Sequence, residues 1–69
     1  MTLKDFPCGV VVDCSDDSDV DLGFFVLLRE TYGERANPET NQLVIDFSGL
    51  SPRKIHEEKN WVRHLFDLR

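Results

Sequence analysis

The segment from Leu22 to Leu28 constrains the fold most, because six of its seven residues are apolar. Whether it forms a helix or a strand, such a segment presents apolar side chains in every direction and has to be buried on all sides. The chain has only 69 residues, and domains of about 60 residues bury only about 60% of their unfolded surface. We therefore expect a second copy or a partner to cover part of this segment.

Residues 18–33 favour a helix over a strand. Ser18 suits the N-cap position, and Asp21, three residues later, stands where a capping box places its acid. Gly33 suits the position that follows a helix. The alternative is a buried central strand, because the same stretch is rich in aromatic and aliphatic residues.

Three further segments carry clear patterns. Residues 9–14, "GVVVDC", and residues 42–47, "QLVIDF", predict strands because they are rich in β-branched residues. Ser51 and Pro52 begin a predicted helix over residues 52–68, whose apolar positions fall within an arc of about 160°. Residues 33–42 are polar and predict an exposed connection.

These elements predict an α/β (α+β) fold: a small two-layer β-α-β-α domain, residues 1–69, with a long C-terminal amphipathic helix. A crossover through the first helix would make the two strands parallel. The alternative is a three-stranded antiparallel sheet packed by one C-terminal helix. A two-stranded parallel sheet leaves both edges open, so we expect a homo-oligomer, most simply a twofold dimer.

The spacing of candidate ligands fits neither of two common kinds of metal site. Asp17, Asp19 and Asp21 alternate as the ligands of an EF-hand do, but the positions that demand glycine and glutamate hold Leu22 and Leu28. The two cysteines, Cys8 and Cys14, and the two histidines, His56 and His64, lack the short spacings of a zinc site.

Catalytic motifs are missing from the sequence as well. The four glycines are scattered singly, so no phosphate-binding loop is predicted, and no acid is placed to orient a cysteine–histidine pair. We therefore expect no metal, no cofactor and no enzyme activity, and we expect both cysteines to be free thiols.

The charge is negative and unevenly distributed. The formal net charge is −5, and residues 1–23 carry six acids against one base. A protein that binds nucleic acid directly normally presents a basic patch, so this class is disfavoured. The sequence predicts instead an acidic surface, composed of Asp13, Asp16, Asp17, Asp19 and Asp21.

Two short stretches resemble known families. Residues 42–52, "QLVIDFSGLSP", resemble the strand that leads into a helix in STAS-type regulatory domains. Residues 10–19, "VVVDCSDDSD", resemble a SUMO-interacting motif, and this resemblance implies binding by addition of a strand to the edge of a sheet. Each resemblance covers about a dozen residues or fewer.

The apolar runs are too short for a membrane-spanning helix, and the first residues lack the basic and apolar regions of a secretory signal. We therefore expect a cytoplasmic protein with no membrane partner.

The composition favours a small protein-binding regulator or inhibitor that acts as a homodimer, with a phage or other mobile element as one source. Two alternatives are an acidic nucleic-acid mimic, which would block a nucleic-acid-binding protein, and a structural accessory subunit. The residues expected to contact a protein partner, or else to form the core, are Leu22, Phe24, Phe25, Leu28, Tyr32, Trp61 and Phe66.

Overall fold

The computed structural model describes residues 1–14 and 22–68. In chain order the elements are β1 (Thr2–Phe6), β2 (Gly9–Asp13), α1 (Leu22–Tyr32), β3 (Ala36–Glu39), β4 (Gln42–Asp46) and α2 (Pro52–Leu68). A short 3₁₀ turn, Gly33–Arg35, joins α1 to β3. The α+β class and the long C-terminal helix are confirmed, and the first apolar segment is a helix.

The sheet has four strands in the order β1-β2-β4-β3, and every neighbouring pair is antiparallel. The predicted parallel pairing of β2 and β4 is therefore wrong, and the alternative sheet of three strands has one strand too few. The crossover through α1 exists, but it leads from β2 to β3. The chain then reverses in a hairpin, and β4 returns between these two strands, antiparallel to both.

Both strands that the sequence analysis missed lie at the edges of the sheet. β3 falls within residues 33–42, which were predicted to be an exposed connection, and contains Pro38. Proline is tolerated at an edge because one side of an edge strand needs no hydrogen-bond donor. Ala36 faces the interior and is buried opposite Ile45, so this connection contributes to the core.

The core lies on one face of the sheet. The central strands pair Val10 with Ile45 and Val12 with Leu43, and these four side chains are almost completely buried. Both helices pack on this face, and the full set of buried core residues is Val10, Val12, Phe24, Leu28, Ala36, Leu43, Ile45, Phe47 and Val62.

The ends of the helices follow the capping pattern. The Ser51 hydroxyl accepts a hydrogen bond from the Lys54 N–H at 3.2 Å, which makes Ser51 the N-cap of α2. Gly33 follows α1 with φ +57°, a left-handed conformation that favours glycine; the predicted C-cap is confirmed. The predicted N-cap residues of α1, Ser18 and Asp21, lie outside the described residues.

Candidate protein-interaction surface

One side of α1 belongs to the core. Phe24 and Leu28 are buried, and Phe25 and Tyr32 are half-buried against the core. The rotation of about 100° per residue in an α-helix places these four side chains within one arc. Phe24 and Leu28, expected as core or partner contacts, are therefore core residues.

The opposite side of α1 is apolar and faces solvent over the first two turns. Leu22 is 69% exposed, Val26 52% and Leu27 43%, and the exposed Gly23 lies among them. We call these four residues the α1 face. Charged residues follow only in the third turn, at Arg29 and Glu30, so the helix is apolar on the sides that face both core and solvent.

The second helix adds exposed apolar side chains of its own. Trp61 is 49% exposed and Leu68 is 68% exposed, and the half-buried Leu65 lies on the same side of α2 at helical spacing. We call these three residues the α2 strip. Phe66 points to the core and is half-buried, with its ring 6.0 Å from that of Phe24 in an edge-to-face contact.

The α1 face and the α2 strip adjoin each other. Phe66 near the end of α2 contacts Phe24 near the start of α1, whereas Trp61 lines the same groove as Thr31, in the last turn of α1. The two helices therefore run antiparallel. Leu27 lies between Phe24 and Thr31 on this flank of α1, so the α1 face and the α2 strip are carried by neighbouring helices.

A groove runs beneath Trp61 between the two helices and the loop before α2. Its lining residues are Thr31, Tyr32, Arg35, Phe47, Leu50, Lys54, Glu58 and Trp61. The Tyr32 hydroxyl is buried, and no group of the described residues lies at hydrogen-bond geometry to it. Burial raises the pKa of Tyr32, and the nearby Glu58 carboxylate raises it further, so the hydroxyl stays protonated.

The predicted acidic surface is only partly described. Asp13 is buried rather than exposed. Its carboxylate forms an ion pair with the Lys4 ammonium, with 3.1 Å between Oδ2 and Nζ. It therefore supports the packing of β1 on β2. The other four acids, Asp16, Asp17, Asp19 and Asp21, lie outside the described residues.

The resemblance to a SUMO-interacting motif meets a topological obstacle. Its valine run lies in β2, which pairs with β1 on one side and with β4 on the other. Strand addition needs unpaired backbone groups along the strand, and in the folded chain those of Val10 to Val12 are already within the sheet.

Ligand-binding side chains are dispersed in the described residues. Cys8 is exposed and Cys14 is buried, and neither forms a disulfide within the described residues. His56 contacts the Asn60 amide at 3.2 Å, and the ring of His64 lies 5.7 Å from that of Trp61. Within residues 1–14 and 22–68, no three candidate metal ligands form a group. No helix in these two ranges has the length and apolar character needed to cross a membrane.

No protein-family model, curated protein or solved structure matches the chain. The function therefore has to be argued from the surface itself.

Sequence reasoning selected only part of this surface. It named Leu22 and Trp61, but it missed Val26, Leu27 and Leu68 as exposed residues. The signal was present for α1, because a helix that is apolar all round has to expose whichever side does not face the core. The position of the sheet decides which side that is.

Proposed function

We propose that this chain is a small protein-binding regulator or inhibitor of the cytoplasm that acts as a homodimer through protein–protein contacts and not through catalysis. One observation carries the proposal: five large apolar side chains are exposed on two adjacent helices, Leu22, Val26, Leu27, Trp61 and Leu68. Large contiguous apolar patches on small proteins are often binding sites.

The composition of the surface supports a protein partner. Tryptophan is enriched among the residues that dominate binding energy, and it acts best when neighbouring apolar groups exclude water. Trp61 has an apolar neighbour in Leu65, one turn further along α2. Charged side chains, among them Arg29 and Lys54, lie around the apolar centre, and interfaces commonly combine an apolar centre with a polar rim.

The test compares protein capture by the wild-type chain and by a Leu27→Asp/Trp61→Ser double variant, immobilised at equal density. The lysate comes from the cells in which the chain is naturally made. Circular dichroism confirms that each immobilised chain is folded. Both substitutions lie at exposed positions, so the fold should survive. Thr40→Asp is the control for added charge, because Thr40 is exposed in the turn between β3 and β4.

We expect the wild type and the Thr40→Asp control to retain the same protein specifically, and the double variant to lose it. Equal retention by all three chains would contradict the proposal. Loss of the protein from wild type at moderate salt would point instead to an acidic nucleic-acid mimic, because charge-driven binding is screened by salt.

A further inference from the structure

Gly23 is the least expected residue of the α1 face. Glycine in the middle of a helix costs about 0.5–1 kcal/mol relative to alanine, and Gly23 is exposed in the first turn of α1. Its helical environment requires no left-handed backbone conformation either, since Gly33 and Gly49 are the glycines described with positive φ. What glycine does provide at an exposed helix position is a gap that permits a close approach by another element.

The α1 face is complementary to itself. When two copies of α1 pack antiparallel about a twofold axis midway between residues 24 and 25, Val26 of each copy lies over Gly23 of the other. In the same register Leu22 of each copy lies against Val26 of the other, and on the opposite flank Leu27 lies against Gly23 of the other. A twofold interface uses the same patch on both copies, so the patch has to be complementary to itself. In this register every large side chain meets an apolar residue of the other copy.

The exposed apolar area fits a dimer of ordinary size. The summed exposure of the large apolar residues equals that of nearly three fully exposed residues; the five are Leu22, Val26, Leu27, Trp61 and Leu68. At about 150–250 Å² for each large side chain, this gives roughly 400–700 Å² per copy. A standard interface takes about 800 Å² from each partner, of which about 56–65% is apolar, so the patch supplies the apolar part of such an interface.

We propose that the occupant of the α1 face is a second copy of this chain, packed antiparallel with Val26 seated on Gly23 of its partner. The proposal rests on the homodimer stated above and adds the face and the register. The α2 strip extends this contact, while Arg29 and Glu30 lie beyond it.

The experiment uses Gly23→Ala, which should raise the stability of the monomer and lower the affinity of the dimer. Alanine favours the helix, so thermal melting followed by circular dichroism at a concentration where the chain is monomeric should shift upward. The added methyl group fills the gap under Val26, so the dimer dissociation constant from analytical ultracentrifugation should rise at least tenfold. Asn60→Ala is the control, because Asn60 is exposed on α2 away from the α2 strip; it should leave dimerisation unchanged.

Val26→Asp provides a second variant at an exposed position, and it too should raise the dissociation constant at least tenfold while the chain stays folded. Wild-type affinity in either Gly23→Ala or Val26→Asp would overturn the proposed register. A dimer insensitive to both would lie on another face, and the homodimer of the proposed function would stand. A wild-type monomer at all concentrations would overturn the homodimer, whereas binding of another protein is decided separately by the capture experiment.

Discussion

At the scale of single residues, Tyr32 combines a core contact with an unsatisfied polar atom. Its ring packs against Phe47, with 5.3 Å between centroids and an angle of 61°. Its buried hydroxyl faces Glu58 without meeting hydrogen-bond geometry. Leaving a buried donor unpaired costs about 1–3 kcal/mol, so the ring and the hydroxyl act on stability in opposite directions.

Tyr32→Phe separates these two contributions. We expect the free energy of unfolding to stay constant or to rise by up to about 1 kcal/mol, because the ring is kept and an unpaired hydroxyl is removed. Urea denaturation measures the change, and Tyr32→Leu, which loses the ring contact, should destabilise the protein. A loss of about 1 kcal/mol or more in Tyr32→Phe would mean that the hydroxyl holds a hydrogen bond to Glu58.

The raised pKa of Tyr32 also predicts a dependence of stability on pH. The folded state holds the hydroxyl proton more tightly than the unfolded state, whose ordinary pKa is 10.0. The tighter proton binding favours the folded state fully below pH 10, and this part of the stability is lost as the pH rises above 10. Urea denaturation across this range should show a steeper loss of stability in wild type than in Tyr32→Phe, and parallel profiles would contradict the assignment.

At the scale of elements, the four predicted segments correspond to β2, α1, β4 and α2, because each carries a strong local pattern. β1, "TLKDF", and β3, "ANPE", lack such a pattern. They become strands by pairing with the valine-rich central strands, and pairing between distant residues is not encoded in local composition. Overlooking β3 also reversed the predicted direction of β4, since the hairpin from β3 sets that direction.

The N-cap of α2 is an element whose contribution can be measured. Ser51→Ala removes the acceptor of the Lys54 N–H, so we expect a loss of about 1 kcal/mol in the free energy of unfolding. Ser51→Asp keeps an acceptor at the positive end of the helix dipole and should retain the stability of wild type. Urea denaturation of the three proteins tests this; equal stability of Ser51→Ala and wild type would mean that the cap contributes nothing.

At the scale of the whole molecule, the fold has one core face and two helices to cover it. The inner sides of α1 and α2 are used for this, and the apolar outer side of α1 remains in solvent with Leu22, Val26 and Leu27 exposed. The expectation that a chain of this size cannot bury residues 22–28 on all sides is therefore confirmed. Which surface would cover these side chains is not encoded in composition alone.

The most direct test of this account is the dependence of size on concentration, measured by sedimentation velocity for wild type and Val26→Asp. We expect the wild type to sediment as a dimer at high concentration and as a monomer on dilution. Val26→Asp should remain monomeric throughout, with an unchanged circular dichroism spectrum. A well-folded wild-type monomer at every concentration would contradict the account.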